Sequence, residues 1–288
     1  MTLHLDPAKI VCDSFGGLEP SVPDAQDQYD YWEDFNARFF RSNGSEYDCR
    51  RDTNVRSWLE APDRASVAAM VAQLLPQIRR RDALSDVDLV LLAHWMPDLH
   101  LGTSVTNYAM HELGIEDGLG FAISDRGLSA PFFALNCAAR YLRNGRRKAL
   151  LMVMDQKHLL YRSETVARLK PENSAGLMLL ERDCDRGLNY CGYARRTRVG
   201  AFDRSDALID VCKAFDFDPA DTLLIADAGM REPGRGFGAF DATDPSLMCT
   251  APFMVLQHAT VSRHCLMVTH ETGELCAIGL STDIGRRA

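Results

Sequence analysis

Apolar residues recur along this 288-residue chain in two rhythms. One is the i, i+3, i+4, i+7 spacing of a helix with a single buried face. Val67, Met70, Val71, Leu74, Leu75 and Ile78 predict such a helix over 64–81. Ala130, Phe133, Ala134, Cys137, Ala138, Tyr141 and Leu142 predict another, with Pro131 in its first turn, where a missing N–H costs nothing, and Asn144-Gly145 as its stop. Helices are also predicted over 103–113, 205–215 and 248–259. The second rhythm is the short unbroken apolar run of a buried strand, at 89–94, 121–123, 148–154, 175–181, 222–226, 263–268 and 275–280. Residues 10–12 and 188–197 add a short strand and an edge strand, whereas 155–173 and the glycine-rich 229–244 read as loops. Strands alternating with helices predict an α/β fold with mostly parallel strands. The order seen in 64–181 returns in abbreviated form in 205–280, which implies an internal duplication.

Residues 1–63 are less regular. Gly16-Gly17, Pro20 and Pro23 break the chain, and 24–41 predicts a helix carrying Tyr29, Trp32, Phe35 and Phe39. So many aromatics in one segment require a contact that buries them. Charged residues make up 25% of the chain and the net charge is −8, without a strong basic block, so nucleic acid is excluded as a partner class. No apolar run approaches the ~18 residues of a membrane span, and residues 1–30 lack the basic end and apolar core of a signal peptide. Nine scattered cysteines without a CxxC pair read as reduced thiols, neither a disulfide framework nor a metal site, and the chain as cytoplasmic.

The candidate chemistry lies where the 121–123 strand turns through Ser124-Asp125-Arg126-Gly127 into the helix with Pro131. A strand, a tight glycine turn and a helix N-terminus favour a thiolate or an oxyanion there. The residue after Gly127 is Leu128, whose side chain offers neither nucleophile nor base. Ser129, one position on and turned by about 100°, is the alternative nucleophile, with no evident base. Cys137 lies about 13 Å along the helix on roughly the opposite face. His94 ends its strand and reads as a hydrogen-bonded residue there; His258 and His264 read as structural or exposed. Gly234-Arg-Gly-Phe-Gly238 lacks the flanking strand and helix of a phosphate loop.

Several stretches resemble the thiolase superfamily, in particular its type III ketoacyl-ACP synthase branch: Asp86-Val-Asp-Leu-Val-Leu-Leu-Ala, Leu113-Gly114-Ile115, the turn at 127–135 and Ser174-Ala-Gly-Leu-Met-Leu-Leu-Glu-Arg182. In the second half Leu223-Leu-Ile-Ala and Thr250-Ala-Pro-Phe-Met-Val-Leu carry a coarser likeness. The resemblance implies a thiolase-like fold of two pseudo-symmetric αβαβα halves, here 1–186, including the irregular segment 1–63, and a shortened 187–288. It also implies a Cys that takes the acyl group, with His and Asn binding the thioester oxygen. Transferred to this chain, the Cys position is Leu128, the His position falls at Asp227 or Ala228, and the Asn position falls within 246–249, which contains no Asn.

These losses imply a catalytically silent, KAS III-like subunit without cofactor or metal, resembling non-catalytic ketosynthase subunits. Such a subunit pairs with an active ketosynthase as a heterodimer and shapes its acyl pocket for fatty-acyl or polyketide-type secondary metabolism, acyl carrier protein or acyl-CoA being bound by the partner. The 150–154 strand is its expected interface. The alternative is an active acyltransferase or thioester hydrolase that uses Ser129 in the same cleft; a module that only binds acyl groups or carrier protein is a third reading.

Overall fold

The computed structural model describes residues 2–22, 26–124, 126–182, 184 and 186–283. Asp24 in the predicted aromatic helix, Asp125 in the turn, and Asp183 and Asp185 at the half boundary lie outside the described residues.

In chain order the strands are β1 (Leu3–Leu5), β2 (Val11–Phe15), β3 (Val87–Ala93), β4 (Leu119–Ile123), β5 (Lys148–Asp155), β6 (Asn173–Arg182), β7 (Leu188–Thr197), β8 (Thr222–Ala226), β9 (Ala239–Ala242), β10 (His264–Glu271) and β11 (Glu274–Ser281). The α-helices are α1 (Gln26–Ser42), α2 (Val55–Glu60), α3 (Val67–Arg81), α4 (Val105–Leu113), α5 (Ala130–Arg143), α6 (Glu164–Leu169), α7 (Arg204–Phe215) and α8 (Ala251–Leu256). The strands join in the order β4-β3-β5-β6-β1-β7-β11-β10-β8-β9, with β2 also on β6.

Each half repeats one pattern. β4, β3 and β5 are parallel, and β6 then β1 follow antiparallel. β9, β8 and β10 are parallel, and β11 then β7 follow antiparallel. Parallel strands therefore form only the outer three of each half, fewer than the apolar runs predict. A continuous apolar run records burial on both faces, and an antiparallel strand between two helical layers is buried as completely. The expected two-fold repetition of αβαβα halves is the observed architecture.

The layers follow from strand alternation. Ala149, Leu151 and Val153 of β5 point into a core shared by α5, α8 and strands of both halves, while Leu150, Met152 and Met154 point into a second core under α3 and α4. A third core lies under α7. Helices α5 and α8 thus form the middle layer, with Phe132 and Phe253 edge to face at 6.3 Å. Every residue of β5 is buried, and β3 and β6 occupy its two edges. The expectation that 150–154 forms a subunit interface is corrected: its apolar run is covered entirely within the chain.

Ser66 caps α3 by accepting from Ala69 N–H, so this helix begins at Val67, three residues later than the predicted start at 64. The predicted 248–259 helix is interrupted because Met248 has φ 49°, and α8 begins only at Ala251. β9 lies inside the stretch read as glycine-rich loop, and α6 inside 155–173. In the first segment Tyr29 is buried and Trp32 and Phe35 are half-buried against Trp58, Leu99 and Leu160, but Phe39 is exposed, which corrects its expected burial. Among the described residues no helix is long and apolar enough to cross a membrane.

Candidate active site at the turn before α5

The ends of β3, β4 and β5 meet at one rim, the place where open α/β sheets bind ligands. Asp155, at the end of β5, ties this rim together. Its Oδ1 accepts from Trp95 N–H (2.8 Å) and Met96 N–H (2.7 Å), and its Oδ2 accepts from Cys249 N–H (2.9 Å). Burial raises the Asp155 carboxyl above its ordinary range, opposed by these donors, and burial together with Asp155 pushes the Cys249 thiol well up. The rim is therefore a structural knot with no thiolate at Cys249.

After β4 the chain passes through Arg126 and a single 3-10 turn, Gly127–Ser129, into α5. Gly127 has φ 55°, and a Cβ there would lie 2.3 Å from Oε2 of Glu271. That carboxylate, from the end of β10, accepts the Leu128 N–H at 3.1 Å. Glycine is needed here both for the backbone conformation and for the carboxylate's approach.

The next two side chains diverge. Leu128 packs with Trp95, Met96, Leu159 and Met248 in an apolar cluster. Leu128 and Met248, which lie where the resemblance expected a Cys and an Asn, thus share one apolar cluster. Ser129 faces the other way, into a cleft of about 330 Å³ shared with Arg126, Arg195, Glu271, Glu274 and Cys276. Its Oγ donates to Arg126 O at 2.7 Å, and Cys276 lines the same cleft. Cys276 Sγ donates to Glu274 Oε1 at 3.3 Å and lies 3.3 Å from the Tyr193 hydroxyl. Burial raises the Cys276 thiol, while the Arg195 hydrogen bond lowers the Glu274 carboxyl. The cleft thus holds a neutral thiol between a serine hydroxyl and a carboxylate.

The remaining candidates lie elsewhere. Asp227 caps the short 228–230 turn, accepting from Gly229 N–H at 2.8 Å. His94 keeps Nδ1 at 2.7 Å from Met96 O and lines a neighbouring slot of about 350 Å³ with Phe35, Trp95 and Tyr161. His264 is buried, with Nδ1 3.0 Å from Ser281 Oγ, and His258 is exposed. Cys137 packs against the middle-layer core. Sequence reasoning missed Glu271, Glu274 and Cys276, which come from the last hairpin and reach Ser129 only through the packing of the two halves. Their signal was the Glu-Thr-Gly-Glu tip between two apolar runs.

No family model matches the chain, and no curated protein matches it. Solved structures do, along nearly its whole length. OleA of Xanthomonas campestris with bound lauric acid and lauroyl-CoA aligns over 97% of this chain and 98% of that one, with a TM-score of 0.66 and 11% identity. The fold is thiolase-like. AbyA1, described as a tetronic acid condensing enzyme, gives a TM-score of 0.64 at 14% identity over 97% of this chain and all of that one. ChlB3, described as an acyltransferase, gives 0.63 at 14% identity over 98% of each chain.

These matches correct the resemblance to non-catalytic ketosynthase subunits. These matches are a condensing enzyme, an acyltransferase and a protein seen with an acyl-CoA, and none of them is described as a silent accessory subunit. The silent-subunit reading, its heterodimer with an active ketosynthase and the partner-held acyl carrier protein or acyl-CoA fall with it. Leu128 offers no nucleophile, but Ser129 lines a polar cleft on the adjacent side of the same helix start.

Proposed function

We propose that this chain is an active enzyme of acyl-thioester chemistry, an acyltransferase or thioester hydrolase, with Ser129 as its nucleophile. One observation supports the reading: the turn sets Leu128, half-buried, against an apolar cluster, while Ser129, itself buried, lines a charged cleft on the other side. Similarity of fold to OleA, AbyA1 and ChlB3 supports the substrate class. In this reading 1–186 and a shortened 187–288 are the two halves, and the cleft needs both: the first supplies Ser129, the second Cys276 and Glu274.

In the reaction, Ser129 Oγ bonds to the thioester carbonyl carbon and the carbon–sulfur bond breaks. For this the serine hydroxyl leaves Arg126 O and turns to Cys276 Sγ; its proton passes to the sulfur as the thiol proton passes to Glu274, and Glu274 then returns that proton through Cys276 to the departing thiolate. Water or a second acceptor then releases the acyl group from the serine ester. The test is intact-mass measurement after incubation with lauroyl-CoA. A single acyl adduct mapped to Ser129, absent from Ser129→Ala, is expected. An adduct that persists in Ser129→Ala, or neither adduct nor thioester consumption in the wild type, refutes the proposal.

A further inference from the structure

The serine's own N–H is engaged by Arg126 O, so the next backbone donor at the turn, the Leu128 N–H, is the one left to hold an acyl carbonyl oxygen. It is already taken. Glu271 Oε2 accepts it at 3.1 Å and lies so close to the turn that any side chain at 127 would meet it. We infer that Glu271 is a built-in occupant of the acyl-oxygen seat and must swing out before a thioester can react. This inference rests on the Ser129 reading.

Three observations make the carboxylate a movable part. Its hairpin is held without it: Val199 N–H donates to Gly273 O at 2.9 Å, His270 Nε2 lies 2.9 Å from Val199 O, and Glu274 pairs with Arg195. The tip itself is a tight two-residue turn, Thr272 at φ 48° and Gly273 at φ 79°, which fixes the register of β10 on β11. Finally, Glu271 is only half-buried and lines the open cleft, so rotation of its side chain leads toward solvent while the backbone stays in place. A negative group at a helix start is favourable, so the resting state is the closed one.

The experiment compares wild type, Glu271→Ala and Glu271→Gln in two readouts. The first is single-turnover acylation by lauroyl-CoA, followed by intact mass. Removing a charged hydrogen bond that the substrate oxygen must displace is expected to speed acylation about tenfold or more in Glu271→Ala. Glu271→Gln, whose amide oxygen can still accept from Leu128, falls between. The second readout needs no acylation: inorganic sulfate titrated against the fluorescence of Trp95, which lines the cleft. Sulfate should change the signal in Glu271→Ala and leave the wild type unchanged, with the response lost when Trp95→Phe is added. A sulfate response gained in Glu271→Ala while no variant is acylated upholds the occupant and refutes Ser129 as nucleophile. No gain in sulfate response, or acylation equal to or slower than wild type in an enzyme that does acylate, overturns the occupant.

Discussion

Replacing Gly127 by alanine separates two costs that the structure superimposes at one atom. The new Cβ would stand 2.3 Å from Glu271 Oε2 on a backbone with φ 55°. A non-glycine residue in that conformation costs about 1–2 kcal/mol. The carboxylate must also withdraw, forfeiting its bond to Leu128 N–H, a charge-assisted bond of about 1.5 kcal/mol for a half-exposed group. Gly127→Ala alone should therefore destabilise by about 2.5–3.5 kcal/mol. Glu271→Ala alone should cost about 1.5 kcal/mol. In the double variant the bond can be lost only once, so the two changes together should cost about what Gly127→Ala costs, a coupling of about 1.5 kcal/mol. Urea unfolding followed by far-UV circular dichroism measures all four corners. With a slope of about 3 kcal/mol/M, Gly127→Ala should lower the midpoint by about 1 M. If the two changes add to within about 0.5 kcal/mol, the carboxylate is not seated on the turn and the reasoning fails.

Two other predictions concern the frame. Lys148 is buried, bonds Asp82 at 3.1 Å and Ala83 O at 2.8 Å, and shares Asp82 and Glu181 with Lys9; Lys148→Met should cost about 2–4 kcal/mol at neutral pH by urea unfolding. Burial alone would raise the Asp82 carboxyl, but Lys9 and Lys148 outweigh it and hold it below its usual range. The native state thus binds that proton less readily than the unfolded chain, so the stabilisation is present above about pH 4 and is lost as pH falls through the depressed native value. Urea midpoints between pH 7 and pH 2 should fall less steeply in Lys148→Met, and an unchanged slope would count against the pairing. Val153→Asp places a carboxylate in the middle-layer core and should unfold the monomer, with a loss above about 4 kcal/mol; a soluble, folded variant with altered association would reverse the assignment of β5 to the interior.

The fold was legible because its signals are local. The faces of α3 and α5 are written at helical spacing, and β5 carries an unbroken apolar run from Ala149 to Met154 only because both of its faces are covered. Strand direction was less legible: β5 and β6 have the same apolar character, yet one pairs parallel with β3 and the other antiparallel with β5. Composition reports burial, whereas direction depends on which connections cross a face. The break before α8 was hidden for a different reason: Met248 takes a positive φ, which no glycine or asparagine there announces.

The site was half legible, and the missing half explains the wrong functional expectation. A sequence comparison sets residues in register, so a leucine in the nucleophile's register reads as a loss of chemistry. On a helix start, register and direction are separate matters. One step along the 3-10 turn before α5 turns a side chain by about 120°, enough to leave one chamber and face another. The structure shows both chambers at once: Leu128 closes the first with Met248, and Ser129 opens onto the second with Cys276. The partners of the second chamber lie far downstream, on a hairpin whose apolar flanks revealed its strands but whose two glutamates carried no chemical signal. What makes them candidates for chemistry is convergence. Glu271 reaches the Leu128 N–H and Glu274 the Cys276 thiol, both beside one serine. That convergence requires β10 and β11 to stand beside α5 across the middle layer, which is a property of the duplicated fold and of no segment taken alone.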